Sequence, residues 1–219
     1  GMVVVNGFFP AVWILFTSLK PEVELVQKPI TWWPHMPTLD NYVRAFTDQP
    51  LLTYLKNSLW VATGATLLSL LVSAFAAYAI ARLNLKHRQI ILTCIVASSM
   101  FPLVTLLVPI FETMRALGWL NSYAALIFPY VVLNMPVCTL VLVSFFQSIP
   151  KDLENAAMID GCTRMGALWR VVVPLSAPGV FTAGILAFVN SWDEFLLALS
   201  LNSSPAVRTL PVGIALYQG

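Results

Sequence analysis

The chain has 219 residues, of which 58% are hydrophobic and 10% are charged, and its mean hydropathy is +0.81. About a quarter of the residues of a soluble domain are charged, so this composition excludes an ordinary soluble domain and indicates a protein that lies in membrane lipid. The net charge of +2 is too small to indicate binding of nucleic acid.

Five apolar runs approach or exceed the length of about 20 residues that a membrane-spanning helix needs. We therefore predict an all-α polytopic membrane protein, a helical bundle formed by one transmembrane domain over residues 1–219. Basic residues are equally numerous on the two sides, but three of them crowd the short loop 82–88, which favours the cytoplasm for this loop and for loop 148–178. The predicted spans are about 2–19, 57–81, 90–111, 123–146 and 179–201.

Four prolines lie within these runs, and a proline inside a helix removes a backbone hydrogen bond and kinks the helix. They are Pro102, Pro109, Pro129 and Pro136. In a membrane such interruptions persist where neighbouring helices or a cavity satisfy the backbone. The pattern fits kinks that serve packing alone, and it also fits the bent helices that surround a transport pathway.

The sequence motifs of common enzymes are absent. No lysine follows a glycine, which excludes a phosphate-binding loop, and neither His-Glu-x-x-His nor Gly-x-Ser-x-Gly occurs. We therefore expect the chain to be no enzyme and to hold no cofactor or metal of its own. If it carries out active transport, the energy must come from a partner or from an ion gradient.

The polar loop 148–178 predicts a helix, a turn and a second helix on the membrane surface. Pro150 suits the first turn of a helix, and Gly161 suits the left-handed residue that ends one. Between them, four residues recur with helical spacing on one face, where the adjacent alanines make a smooth surface that another protein can approach closely. These residues are Leu153, Ala156, Ala157 and Asp160. From the pattern alone, a surface hairpin without a partner is also open.

The spacing in this loop resembles the EAA motif of ABC importer permeases, in which Glu-Ala-Ala is followed by Gly, Ile and Leu-Pro at fixed distances. Ala156, Ala157 and Gly161 match the motif, and Val173-Pro174 closes it at the right distance. Asn155 stands where the family usually has glutamate, and Glu154 precedes it as a common second acid.

Further stretches are similar to carbohydrate permeases of the maltose-transporter type, so the resemblance covers nearly the whole chain. Such permeases usually have six spans, and we expect the sixth to be missing from this sequence. The stretches are 17–21, 41–42, 57–58, 77–82, 117–121 and 208–213.

The resemblance implies a multi-pass subunit in a bacterial-type plasma (inner) membrane, surrounded by lipid. Its partners would be a second permease subunit, two ATPase subunits that bind Mg-ATP, and an extracytoplasmic solute-binding protein that delivers a sugar, all working by alternating access. The motif's helix would be a coupling helix seated in a cleft of the ATPase. The implied interface residues are Glu154, Asn155, Ala156, Ala157, Asp160 and Gly161.

Polar residues near the end of the last predicted span are candidates for the transport pathway, because charged residues within a span are costly and often functional. Amides and carboxylates can bind sugar hydroxyls, and an aromatic ring can stack on a sugar face. A cap at the membrane interface explains the same residues without a substrate. The candidates are Asn190, Trp192, Asp193 and Glu194, followed by Asn134 and, more weakly, Ser98 and Ser99.

Three alternative functions remain open. The first is an ABC permease for another small solute such as glycerol phosphate or a polyamine, although the spans contain no lysine or arginine to bind a phosphate. The second is a membrane-embedded enzyme, which would need acids and histidines converging at one depth. The third is an ion-driven carrier, which would have no use for loop 148–178.

Overall fold

The computed structural model describes residues 2–217, with side chains from residue 7 onward. Over these residues the chain forms helices and no β-strand, which confirms the predicted all-α class. The helices divide into two compact units whose boundary falls between residues 53 and 54. A single transmembrane domain over 1–219 stays a prediction.

The first unit contains three helices, of which the first is apolar and the other two are short. Asn41 pins the third helix to the end of the first, because its Nδ2 donates to the carbonyl oxygens of Ser18 at 3.0 Å and Lys20 at 2.7 Å. The helices are α1 (Met2–Ser18), α2 (Glu22–Leu25) and α3 (Asp40–Asp48).

A buried carboxylate organises the loop between α2 and α3. Oε1 of Glu24 accepts hydrogen bonds from the hydroxyl of Thr31 at 2.9 Å and from the backbone N–H of His35 at 3.0 Å. Burial alone would raise the pKa of Glu24, but these hydrogen bonds hold it below its ordinary value. The ionised form of Glu24 is therefore the one that this loop stabilises.

The second unit contains the long helices, the first of which begins three residues before the unit boundary. Helix α4 (Leu51–Arg82) is followed by α5 (Arg88–Ser99), α6 (Leu103–Ala116), α7 (Tyr123–Ser148), α8 (Lys151–Ile159), α9 (Arg164–Ala167), a π-helical turn (Leu168–Val172), α10 (Val173–Leu175), α11 (Ala177–Asp193), α12 (Leu196–Leu201), a 3-10 turn (Pro205–Val207) and α13 (Leu210–Ala215).

Two helices within residues 2–217, α4 and α7, are each long and apolar enough to cross a membrane. Two bent pairs pass the same test together, and counting each pair as one span makes up to four spans. The pair α5 and α6 is bent by 90°, and the segment Arg164–Leu175 is bent by 82° against α11. Helix α1 contributes a shorter apolar stretch, Gly7–Ser18.

The segment predicted as a span at 90–111 is not one continuous helix, because α5 ends at Ser99 and α6 begins at Leu103. The break has a local cause at Pro102, which lacks an N–H and disfavours helical geometry at the residue before it. The other three prolines, at 109, 129 and 136, lie inside continuous helices. Only one of the four predicted interruptions therefore breaks a helix.

The continuous span predicted at 179–201 is also broken, at Glu194. This residue leaves helical geometry with ψ 123° after α11 ends at Asp193. Its carboxylate accepts hydrogen bonds from the backbone N–H groups of Leu197 at 2.8 Å and Ala198 at 3.1 Å, which belong to the first turn of α12. Glu194 therefore caps a new helix.

Small buried residues lie where α7 and α11 pack closely, and α4 contributes to the same buried cluster. Ala77, Cys138 and Ala183 are fully buried in one core cluster, where Leu142 and Phe146 fill the space between them. A second cluster packs α6 and α12 against the other ends of α4 and α7. This packing holds the cavity and the loop described below on one scaffold.

Candidate functional site

The loop after α7 folds into the predicted helix, turn and helix. The N–H of Gly161 donates to the carbonyl of Met158 at 3.1 Å, and that of Cys162 donates to the carbonyl of Ala157 at 2.9 Å. This pair of bonds is a Schellman motif, which needs a left-handed residue after the helix. Gly161 supplies it with φ +92°, so the sequence prediction for this residue is confirmed.

Helix α8 presents one face to solvent. Asn155, Ala156, Asp160 and Gly161 are exposed, and Ala157 is half-buried. Ile159 is 86% exposed beside them, and sequence reasoning missed it. The exposed face combines small side chains with a protruding apolar one.

Glu154 lies on the opposite, buried side of α8. Its Oε2 is 3.3 Å from Nε of Arg82, and its Oε1 accepts a hydrogen bond from the hydroxyl of Tyr78. Glu154 and Asn155 therefore point to different sides of α8, because consecutive helical residues point in directions about 100° apart. The place of Glu154 at an ATPase interface stays a prediction. Sequence reasoning also missed both of its partners, although the position of Arg82 at the end of a long apolar run was a signal.

A second contact joins the loop to α4. Trp169 in the π-helical turn meets the ring of Phe75 edge-on, with ring centroids 5.7 Å apart. Leu168 and Val172 of the same turn are fully buried in the core cluster that includes the end of α4. The loop is therefore part of the folded body of the second unit.

A cavity of about 640 Å³ lies between α5, α6, α7 and α11. Its polar side chains are Ser98, Ser99, Asn134 and Asn190, and the other lining residues described are apolar, with no charged group among them. Phe101, at the break between α5 and α6, also lines it and is 63% exposed. Such a wall suits an uncharged ligand that offers hydroxyl groups and apolar ring faces.

Two asparagines from different helices meet in this wall. Nδ2 of Asn134 donates to Oγ of Ser191 at 2.8 Å and lies 3.4 Å from the carbonyl oxygen of Ala187, while its Oδ1 accepts from Nδ2 of Asn190 at 2.8 Å. Asn134 is buried and held by α11, whereas Asn190 is exposed and keeps its own oxygen turned away from this bond. The arrangement therefore places one fixed amide behind one that can reach a ligand.

Comparison with known proteins identifies the family. Residues 50–219 match the family described as binding-protein-dependent transport system inner membrane component. The chain belongs to this family. The resemblance that the loop motif indicated is therefore confirmed, and the chain is an inner-membrane permease.

Similar curated proteins are sugar permeases by name. The sulfoquinovosyl glycerol transport system permease protein SmoH of Agrobacterium fabrum is 72% identical over 218 residues, which cover 100% of this chain and 76% of that protein. The trehalose/maltose transport system permease protein MalG of Thermococcus litoralis is 40% identical, covering 96% of this chain and 76% of that protein. The trehalose permease protein SugB of Mycobacterium tuberculosis is 37% identical, covering 100% and 79%.

A solved structure has the same fold. The crystal structure of a bacterial ABC transporter involved in the import of the acidic polysaccharide alginate superposes with a TM-score of 0.84 at 22% sequence identity. The match covers 99% of this chain and 75% of the other. The helical architecture of the permease is therefore that of a known transporter subunit.

The structure separates the predicted pathway residues into two groups. Asn134 and Asn190 line the cavity, together with the weaker candidates at 98 and 99. Trp192, Asp193 and Glu194 are not among its lining residues: the tryptophan stacks on Phe188, and the aspartate is exposed. Glu194 caps α12 and also accepts a hydrogen bond from the hydroxyl of a buried tyrosine, residue 130, at 2.7 Å. Glu194 therefore caps α12 in this structure, and a role of Glu194 in the transport pathway stays a prediction.

Proposed function

We propose that this chain is the permease subunit of an ATP-driven importer that moves a sugar or oligosaccharide delivered by a solute-binding protein. The observation that carries the proposal is the cavity between α5, α6, α7 and α11, whose polar groups are hydroxyls and amides. Sugars are bound by such neutral hydrogen-bonding groups together with apolar faces. The family to which the permease belongs supports import as the direction of transport.

Sulfoquinovosyl glycerol is the first solute to test, because the relative named for its transport is 72% identical over the whole of this chain. Its sugar and glycerol hydroxyls suit the amide of Asn190. Its sulfonate is anionic, whereas the described lining contains no cation to neutralise it. We therefore place the hydroxyl-rich part of the solute against this wall and the sulfonate towards another subunit.

The exposed face of α8 is the proposed docking surface for an ATPase subunit. Asn155, Ala156, Ala157, Asp160 and Gly161 form it together with the apolar side chain at 159, and small residues at a contact allow close approach. Two ATPase subunits would bind Mg-ATP, and a second permease subunit would complete the pathway. Closure of the ATPases would then move α8 and switch the access of the cavity from one side of the membrane to the other.

Uptake by cells tests the proposal. Cells that lack the chromosomal copy, supplied with the intact permease and its partner subunits, should accumulate labelled sulfoquinovosyl glycerol. Asn190→Ala removes one hydrogen-bonding group, worth about 0.5–1.5 kcal/mol, and should raise the half-saturating concentration roughly 2- to 12-fold. Ser144→Ala is the control, because its hydroxyl is exposed and bonded within its own helix. Equal half-saturating concentrations for Asn190→Ala and wild type would contradict the proposal that the solute contacts Asn190 in this cavity.

A further inference from the structure

A buried cluster of three side chains joins the proposed docking helix α8 to α4. We call Tyr78, Arg82 and Glu154 the ionic joint. Of the two acids on α8, Asp152 is exposed and Glu154 is buried. Glu154 reaches Tyr78 and Arg82, which lie one helical turn apart at the end of α4. The joint therefore connects segments that are 76 residues apart in the chain.

The three side chains are almost completely removed from solvent. The side chain of Arg82 is 3% exposed and that of Glu154 is 9% exposed, and the hydroxyl of Tyr78 donates to the same carboxylate. Apolar residues of the core cluster, including Leu168 and Val172, pack in the same region. Because little water screens the pair, the attraction between its charges is stronger than that of an exposed pair.

The joint is poorly explained as a device for stability. Nε and Nη2 of Arg82 are buried, and neither forms a hydrogen bond with a residue that the structure describes. A buried ion pair with unsatisfied donors is often no more stable than an apolar contact of the same volume. An ion pair that fixes the orientation of α8 while adding little to stability is suited to a role in movement.

We propose that Glu154 is a positioning residue whose hydrogen bond from Tyr78 and ion pair with Arg82 transmit displacement of the docking helix α8 to α4. This inference rests on the proposed function, because it needs an ATPase subunit that moves α8. The exposed and buried faces of α8 have different proposed roles. The exposed residues from Asn155 onward would contact the ATPase, while Glu154 would connect that contact to the spanning helices.

The test uses the complete importer in vesicles, with the full-length permease, its partner permease, the ATPase subunits and the solute-binding protein. Two quantities are measured for each variant: the amount of assembled complex, and the number of solute molecules imported per ATP hydrolysed. Glu154→Gln removes the charge that faces Arg82. We expect the imported solute per ATP to fall by at least about fivefold, the lower end of the usual coupling between two sites, while ATP hydrolysis continues.

A second variant separates positioning from stability, because Glu154→Gln leaves the buried charge of Arg82 unpaired and could prevent folding. Tyr78→Phe, Arg82→Met and Glu154→Leu together replace the whole joint by apolar side chains of similar size, a change that buried ion pairs often tolerate. We expect this triple variant to assemble like wild type and still to import at least about fivefold less solute per ATP. Glu112→Gln, in an exposed ion pair on α6, is the matched control and should behave as wild type.

The outcomes are distinct. If the triple variant assembles and imports as much solute per ATP as wild type, the joint serves only folding and the proposal is overturned. If the triple variant does not assemble, the ionic joint is needed for folding and the positioning role falls as well. If wild type shows no ATP-dependent import, the proposed function fails first, and this inference falls with it.

Discussion

Replacement of Gly161 should weaken binding of the ATPase without disturbing the spanning helices. Gly161 follows α8 with φ +92°, and the open space around it leaves no clash as a cause of any effect. A residue with a Cβ pays about 1–2 kcal/mol for left-handed geometry. The Schellman motif that ends α8 depends on this geometry. A substitution therefore disfavours the turn that orients the docking surface.

The cost sets the expected size of the effect. About 1–2 kcal/mol reduces the population of the correct turn by a factor of roughly 5–30, and the apparent dissociation constant for the ATPase rises by up to the same factor. Gly161→Val should have the largest effect, because a β-branched residue tolerates positive φ least. Gly161→Asn should bind almost as well as wild type, because asparagine enters left-handed geometry more readily than other residues with a Cβ.

The assay is equilibrium binding of the purified ATPase subunit to the full-length permease complex in detergent. Gly166→Ala is the control in the same loop, because an added Cβ there would meet Thr163 Oγ1 at an ordinary 3.4 Å and would lie within α9. We expect the affinity for the ATPase to fall in the order wild type, Gly161→Asn, Gly161→Ala and Gly161→Val, with the Gly166→Ala control equal to wild type. Equal binding of Gly161→Val and wild type would refute the assignment of this turn to the docking surface.

Three further predictions concern packing, capping and pH. Gly179→Leu should lower the free energy of unfolding by about 1–3 kcal/mol, because an added Cβ would lie 2.3 Å from the ring of Phe145, whereas Gly184→Ala should be tolerated; thermal unfolding in detergent compares them. Glu194→Ala should cost about 0.5–2 kcal/mol through loss of the α12 cap, and unchanged thermal stability would contradict that role. The pKa of Glu24 is lowered in the folded loop, so its stabilising contribution should be present above the unfolded pKa and be lost as pH falls through the folded pKa. The difference in melting temperature between wild type and Glu24→Gln should therefore shrink as pH falls over that range. A difference that stays constant would show that the carboxylate is not involved.

The fold class and the long helices followed from apolar run length, because lipid leaves a chain few ways to satisfy its backbone. The breaks at Pro102 and Glu194 could not be predicted from the length of the apolar runs. A proline that breaks a helix, as at 102, has the same local sequence signal as one that lies inside a helix, as at 136, because neighbouring helices decide the outcome. The break at Glu194 depends on where its carboxylate finds free N–H groups, which only the folded chain determines.

The site was predictable where its signal was local. The turn glycine at 161 was predicted because left-handed geometry selects glycine. The orientation of Glu154 depends on Tyr78 and Arg82, which are distant in sequence, so composition and helical period did not indicate it. The cavity likewise joins Ser98 and Asn190 from helices whose relation only tertiary packing fixes.

The most direct test of the central claim is transport by the complete importer reconstituted in sealed vesicles without any ion gradient. Mg-ATP is supplied on the side of the ATPase subunits, and the solute-binding protein on the opposite side. The account predicts that sulfoquinovosyl glycerol accumulates against its concentration gradient, and that accumulation stops when ATP or the binding protein is omitted. Accumulation that needs an imposed ion gradient and ignores ATP would contradict the account and would indicate an ion-driven carrier.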